Sequence, residues 1–190
     1  MVKHKVRDKK LVYVPQEIID QIFEVAKRKG ETISRFVEDA LLEALKVEAA
    51  GYEVKKLGAF FEVLHALKVL GGVFFPLEIA NYLVNNASAR DLKSLHKKWL
   101  TAGEWYGKYL KQKFEDPVSA FKIFLEACRW DLNEVEIRRN SECKRLMFVS
   151  SVMSSEETET LAIFAEGVIR GMGFTLKSRD VVKGMVALDF

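Results

Sequence analysis

The stretch KLVYVPQEIIDQIFEVAKRKGETISRFVEDALLEAL, Lys10 to Leu45, decides the fold of the first part of this 190-residue chain. At its start, two valines alternate with a leucine and a tyrosine over residues 11–14, and Pro15 follows. Alternation of this kind predicts a short strand that proline ends. Pro15 also suits the first turn of a helix, where its missing N–H would have no partner.

Two helices are predicted after this strand. In the first, apolar residues recur at helical spacing, at Ile18, Ile19, Ile22, Val25 and Ala26. Residues 27–29 are basic and suit the negative end of that helix, Gly30 suits its C-cap, and Thr32 or Ser34 can cap the next helix. The apolar stripe of the second helix is Val37, Ala40, Leu41, Ala44 and Leu45. The boundary of this segment is predicted between Glu48 and Tyr52.

A segment this small cannot bury a core alone. One strand and two helices in about forty residues offer too little interior for a stable fold. A two-fold dimer would complete it, with the two strands paired antiparallel and four helices packed beneath them. The sequence therefore predicts a homodimer.

Positive charge is concentrated at the very start of the chain. The first ten residues contain five basic side chains and one acidic one, a net charge of +4, whereas the whole chain carries +3. The basic residues are Lys3, Lys5, Arg7, Lys9 and Lys10. Such a distribution is typical of an arm that lies near phosphate, and a solvated tail is the alternative interpretation.

The pattern of Lys10 to Leu45 resembles the ribbon-helix-helix family of the Arc, MetJ and CopG type. The residues that carry the resemblance are Val14, Pro15, Gly30, Thr32, Ser34, Ala40, Leu41 and Ala44. The resemblance implies that the two-stranded ribbon enters the major groove of double-stranded DNA. It also implies that Val12 and Val14 face the core of the dimer.

The DNA contacts implied by the resemblance fall into three groups. The other strand face, which includes Leu11 and Tyr13, would meet base edges, the basic arm would meet phosphates, and the N-terminus of the second helix would hold a phosphate. The full set is Lys3, Lys5, Arg7, Lys9, Leu11, Tyr13, Thr32, Ser34 and Arg35. The sequence departs from the family at Leu11 and Tyr13, where polar residues are usual, and at Lys10, where a third core residue would be expected. A ribbon-helix-helix kept only as a dimer clamp is therefore the alternative.

The remainder of the chain predicts helices followed by short strands. Helical spacing covers Val54–Leu70, Pro76–Val84, Ala89–Phe114 and Pro117–Trp130, with Ser88 and Asp116 as N-caps. Two strands are predicted at Glu134–Arg138 and Arg145–Ser150, about a turn at Asn140–Cys143. A helix capped by Ser154 or Ser155 runs to about Met172, and a closing strand pair is predicted at Phe174–Ser178 and Met185–Phe190.

The second part of the chain resembles the 4-vinyl-reductase domain, a relative of the trafficking-complex and haem-nitric-oxide-binding folds. The matching segments are AGEWYGKYL (Ala102–Leu110), LEACRWDLNEVEI (Leu125–Ile137), FAEGVIRGMGFTL (Phe164–Leu176) and KGMVALDF (Lys183–Phe190). The resemblance implies an α+β domain that dimerises and holds a small apolar ligand between its helices and its sheet. Gly167 and Gly171, four residues apart, are interpreted as packing of their helix on that sheet.

No catalytic or metal-binding constellation is predicted. His4, His65 and His96 are far apart, and two cysteines, Cys128 and Cys143, are too few for a four-cysteine zinc site. His65 is interpreted as partly buried and hydrogen-bonded, and His96 as solvated. Five aromatic residues at helical intervals are interpreted mostly as core or dimer interface rather than as the lining of a ligand pocket, namely Trp99, Trp105, Tyr106, Tyr109 and Phe114. No cofactor is predicted.

The combined prediction is a regulator of the α+β class that binds DNA. Its first domain, residues 1–50, would be the ribbon-helix-helix module, and its second, residues 53–190, a domain for ligand sensing or dimerisation. We predict a cytoplasmic homodimeric transcriptional regulator without a membrane span, and a tetramer remains open. The alternative from another class is a non-enzymatic protein-interaction adaptor.

Overall fold

The computed structural model describes residues 10–72, 76–86, 89–139 and 143–190. Contacts between Cα atoms divide the chain into two compact units, Met1–Lys56 and Leu57–Phe190. The described residues contain helices and one antiparallel sheet, so the chain belongs to the α+β class. Among the described residues, no helix is both long and apolar enough to cross a membrane.

The first unit is a pair of helices joined by a tight turn. Helix α1 covers Gln16–Lys29 and helix α2 covers Ile33–Ala49, followed by a short 3₁₀ helix at Val54–Lys56. Gly30 ends α1 with a φ of 70°, a left-handed conformation that glycine adopts without a Cβ clash. The side chain of Thr32 caps α2 by accepting a hydrogen bond from the N–H of Arg35 at 3.3 Å. Both predicted caps are confirmed.

The predicted strand over residues 11–14 is absent from the single chain. Residues 10–15 form no strand, and α1 begins directly after Pro15. A strand exists only when its N–H and C=O groups pair with a neighbour. The described residues of the first unit contain no other strand with which this segment could pair.

The described part of the second unit contains five helices and a four-stranded sheet. The helices are α3 (Leu57–Leu70), α4 (Leu77–Asn85), α5 (Ala89–Lys113), α6 (Pro117–Cys128) and α7 (Ser155–Gly171). The strands are β1 (Glu134–Arg139), β2 (Lys144–Val149), β3 (Ser178–Val182) and β4 (Met185–Asp189). Two predicted N-caps are confirmed, because Asp116 caps α6 and Ser154 caps α7 through a reciprocal pair of bonds with Glu157. The predicted cap Ser88 and the predicted turn residues 140–142 lie outside the described residues.

The sheet is antiparallel throughout, in the order β1-β2-β4-β3. One of its faces lies against the core, and its side chains are Val135, Ile137, Leu146, Phe148, Val186 and Leu188. The core also takes in residues of α5, α6 and α7, including Phe121 and Phe164. The opposite face carries a polar row in which Arg145 and Asp189 are cross-strand partners.

The first strand of the closing hairpin lies further along the chain than predicted, whereas the second, β4, begins at Met185 as predicted. The strand expected at residues 174–178 begins only at Ser178, because β3 and β4 pair from Val182 opposite Met185. This pairing leaves a turn of two residues, Lys183 and Gly184, and Gly184 has a φ of 76°. A two-residue hairpin turn favours residues that accept a positive φ. Gly184 is such a residue, so it fixes the position of the turn and with it the register of β3 against β4.

Helices α5 and α7 pack backbone to backbone through four glycines. A Cβ added at Gly103 would lie 2.2 Å from the carbonyl oxygen of Phe164, and one at Gly107 would lie 2.1 Å from that of Val168. A Cβ added at Gly167 or Gly171 would likewise lie 2.3 or 2.2 Å from a backbone carbonyl oxygen of α5. The interpretation of Gly167 and Gly171 as packing on the sheet is therefore wrong, because these glycines face another helix.

The predicted environments of two histidines are also wrong. His65 is exposed on α3 rather than partly buried. His96 is partly buried rather than solvated, and its Nε2 atom is buried without a hydrogen-bond partner among the described residues. Helical spacing alone does not distinguish the side of α3 or α5 that a neighbouring helix covers.

The polar row on the outer sheet face predicts a dependence of stability on pH. Two hydrogen bonds from Arg145, at 2.7 Å each, and one from Ser178 hold the pKa of Asp189 at about 2, below its ordinary value of 3.8. Because the folded-state pKa is lowered, this stabilisation is present above pH 3.8 and is lost as the pH falls towards 2. We expect an Asp189→Asn variant to melt below the parent at pH 7 and level with it near pH 2. Thermal melts followed by circular dichroism measure this, and a constant difference at both pH values would contradict it.

Candidate nucleic-acid interface

The N-terminus of α2 presents free backbone donors at an exposed position. The first N–H groups of a helix have no intrahelical acceptor, and here the hydroxyl of Thr32 takes only that of Arg35. Ser34 is exposed on the same first turn, and the guanidinium of Arg35 lies 3.9 Å from Asp39 with its side chain 77% exposed. The structure thus brings Thr32, Ser34 and Arg35 together at one helix end, where the helix dipole favours an anion.

Positive charge from α1 lies next to this helix end. The ammonium group of Lys29 sits 5.0 Å from the ring centroid of Phe36, which belongs to the first turn of α2. Lys27 and Arg28 immediately precede Lys29, at the C-terminal end of α1. Helical patterning assigns these cations only to the end of α1. The aromatic residue one turn after the Thr32 cap, Phe36, is the sequence signal that could place Lys29.

The segment before α1 is exposed on both of its faces. Leu11 is 80% exposed and Tyr13 is 91% exposed, on the face that the family resemblance turns towards DNA. Val12, on the face expected to lie on the core, is also 75% exposed. In the single chain this segment therefore has both an unpaired backbone and an unburied apolar face.

The two helices of the first unit bury very little. Ala26 is the one buried residue among residues 10–56. On α2, Leu41 and Leu45 lie one turn apart and remain more than half exposed. Ile18 and Phe23 of α1 are about half exposed. An isolated unit of this size with so little buried surface would be unstable, so its apolar residues need a partner surface.

Most of the predicted basic arm lies outside the described residues, namely Lys3, Lys5, Arg7 and Lys9. Of the nine residues predicted to contact DNA, the described ones form two groups, the extended segment with Leu11 and Tyr13 and the α2 end with Thr32, Ser34 and Arg35.

Two surface cavities in the described part of the second unit bear on the predicted ligand site. One, of about 390 Å³, lies between α5, the start of α7 and the β3–β4 turn, and its lining includes His96, Glu156 and Lys183. The other, of about 630 Å³, lies between α6 and β1 beside the exposed Trp130. Both are partly lined by charged side chains, unlike the apolar site between helices and sheet that the family resemblance implies. An apolar ligand therefore stays a prediction.

Side chains that could support metal or thiol chemistry are not grouped in the described part of the chain. No cluster of three or more histidine, cysteine, aspartate or glutamate side chains suited to a metal occurs there. Burial raises the pKa of the Cys128 thiol to about 11, so this sulfur stays protonated and unreactive near neutral pH.

Comparison with known proteins identifies no relative. No protein-family model, no curated protein and no solved structure matches the chain.

Proposed function

We propose that the chain is a homodimeric DNA-binding transcriptional regulator whose first unit forms a ribbon-helix-helix module. The observation that carries the proposal is the lack of strand pairing and of buried apolar surface in residues 10–56 of the single chain. An extended segment without a strand partner precedes two helices that bury one alanine and expose Leu41 and Leu45. A second copy supplies both a strand partner and a partner surface for the helices. Two-fold symmetry pairs the extended segment of one chain with the same segment of the other and packs the two helix pairs together.

The charge of this unit supports DNA as the partner of the dimer. The helix end at Thr32, the side chain of Arg35 and the cations at the end of α1 offer donors and positive charge to a phosphate, and Lys29 also lies 3.9 Å from the carboxylate of Glu31. The basic arm adds a net charge of +4 within the first ten residues. Phosphate contacts of this kind provide affinity and orientation, whereas the exposed side chains of Leu11 and Tyr13 would meet base edges.

The second unit would act as the sensor or dimerisation domain of the regulator. Its core is complete without the first unit, because every residue of the main hydrophobic cluster follows Leu57. A protein-interaction adaptor is the second candidate. Apolar Leu11 and bulky Tyr13 favour it, since both suit a protein contact as well as a groove.

Binding of the full chain to labelled duplexes across a salt series tests the proposal. We expect affinity to fall steeply with salt, and the Lys3→Ala/Lys5→Ala/Arg7→Ala variant to bind all sequences more weakly. Because each neutralised phosphate contributes about 0.9 to the slope of log affinity against log salt, the slope of the variant should be shallower by about 2 to 3. Fluorescence anisotropy at four or more salt concentrations gives both slopes.

A matched variant controls for the loss of three charges. Lys93, Lys97 and Lys98 are exposed on α5, and their replacement by alanine removes the same charge from the second unit. This control should keep the parent slope, while Tyr13→Ala should change sequence preference rather than the slope. Equal slopes for the arm variant and the parent would refute the role of the arm. Absence of binding even at low salt would favour the adaptor.

A further inference from the structure

Strand β1 lies at one edge of the sheet. It pairs with β2 on one side, and no strand in the described part of the chain pairs with its other side. Lys144 of β2 exchanges two backbone hydrogen bonds with Phe190 next to β4, at 2.8 and 2.9 Å. Because successive residues of a strand bond to opposite neighbours, Arg145 bonds to β1 at its cross-strand partner, Arg138. The backbone groups of Arg138 therefore point towards β2.

The same alternation leaves backbone groups of β1 without a strand partner. Ile137 precedes Arg138, and Val135 lies two residues further back, so the N–H and C=O groups of both point away from β2. An edge of this kind is a ready template for one more strand, because the added backbone satisfies these donors and acceptors.

A groove runs along this edge. It is the cavity of about 630 Å³ between α6 and β1, which we call the β1 groove, and Val135 is among the residues that line it. The side chain of Val135 belongs to the core, so its backbone is the part that can face the groove. Trp130, which is 79% exposed, also lines it. Free backbone groups beside an exposed aromatic ring suit an extended peptide, which the edge can bond and the indole can contact.

The charge of the β1 groove indicates which peptide it suits. Its charged side chains are Lys122, Glu126, Arg129, Glu134 and Glu136. Lys122 lies 3.6 Å from Glu126, and Arg129 binds Asp131 at 2.6 Å, so both cations already have a carboxylate partner. Glu134 is exposed and forms no salt bridge in the described part of the chain. The excess of negative charge disfavours a phosphate backbone and suits a basic segment.

We propose that the free edge of β1 binds an extended basic segment of a partner protein as an added antiparallel strand. All strand pairs of this sheet are antiparallel. Residues of the segment opposite Val135 and Ile137 bond their backbones to β1. A lysine or arginine opposite Glu134 forms a cross-strand pair of opposite charge, and its cation also reaches the indole of Trp130.

Fluorescence anisotropy of labelled peptides with the full chain tests the proposal. The probe is a peptide of about six residues in which lysine and threonine alternate, and the reference peptide has glutamate in place of lysine. We expect the lysine peptide to bind at least about 10-fold more tightly. Equal affinities, or no binding of the lysine peptide at roughly 1 mM, would overturn the proposal.

Two N-methylated probes separate strand addition from simple charge attraction. With lysine opposite Glu134, the threonines lie opposite Val135 and Ile137, and their N–H groups point to β1. Methylation of the threonine amides should weaken binding at least about 10-fold. Methylation of the lysine amides changes groups that point to solvent and should leave the affinity unchanged. Any other order of the two affinities refutes an added antiparallel strand.

Matched variants of the chain locate the contact. Trp130→Ala and Glu134→Lys should each weaken binding of the lysine peptide at least about 10-fold. The controls are Trp105→Ala, which removes an indole that is 61% exposed on α5, and Glu156→Lys, which reverses an exposed charge on α7. Both control positions lie outside the β1 groove and should keep the parent affinity. All four side chains are exposed, so circular dichroism should show the parent fold. Unchanged binding by Trp130→Ala and Glu134→Lys would place the peptide elsewhere and refute the proposal.

Discussion

Replacing Gly103 with alanine is expected to destabilise the second unit by about 3 kcal/mol or more. The added Cβ would lie 2.2 Å from the carbonyl oxygen of Phe164 and 3.0 Å from the Cα of Gly167. Both are backbone atoms, so no side chain can rotate aside and α5 must move away from α7. That movement opens the contact along the two helices and disturbs the core around Phe164, against a typical domain stability of about 5–15 kcal/mol.

Urea unfolding followed by tryptophan fluorescence measures this loss directly. All three tryptophans, Trp99, Trp105 and Trp130, belong to the second unit, so their signal reports on that unit alone. Gly58→Ala is the matched control, because Gly58 is also helical and an added Cβ there meets no atom within 4 Å. The control should be stabilised by about 0.5–1 kcal/mol through helix propensity. Equal midpoints for the two variants would contradict the backbone contact.

Replacing Leu41 and Leu45 together with glutamate is expected to abolish specific DNA binding at physiological salt. Both side chains are exposed in the single chain, at 58% and 66%, and one turn apart on α2. In the proposed dimer they would be buried, where unpaired charges are strongly unfavourable. Without this contact between the two first units, the two extended segments lose their strand partners and no ribbon forms. We expect affinity for duplex DNA to fall at least about 100-fold, as measured by fluorescence anisotropy.

The second unit provides the internal control for this variant. Its tryptophan fluorescence and its urea midpoint should match those of the parent, because the substitutions lie in the other unit. Glu38 and Glu43 already occupy α2, so glutamate itself is compatible with this helix. Undiminished DNA binding by a chain that remains folded would show that Leu41 and Leu45 do not form the dimer core.

Local signals predicted the helix ends well. Gly30, Thr32, Asp116 and Ser154 cap the helices that they were predicted to cap, because a cap depends on a few neighbouring residues. The strands β1 and β2 were predicted to within one residue at each end. The second strand of the closing hairpin, β4, was also predicted to within one residue, but the first was misplaced, because the alternation of its residues permits several registers and the pairing of Val182 with Met185 selects one.

For the candidate interface, the sequence identified Thr32, Ser34 and Arg35 as one group, because their positions follow from where α2 begins. It did not reveal that Lys29 packs against Phe36, since that contact crosses the turn between two helices.

By itself, the sequence determined the order and ends of most helices, the turn at Gly30 and the high positive charge of the first ten residues. These properties depend on residues that are close together in the chain. Only the tertiary structure decided that Gly167 faces Gly103, that His96 is partly buried, and that His65 is exposed. Each of these depends on which distant segment packs against a given side of a helix, and helical periodicity carries no information about that neighbour.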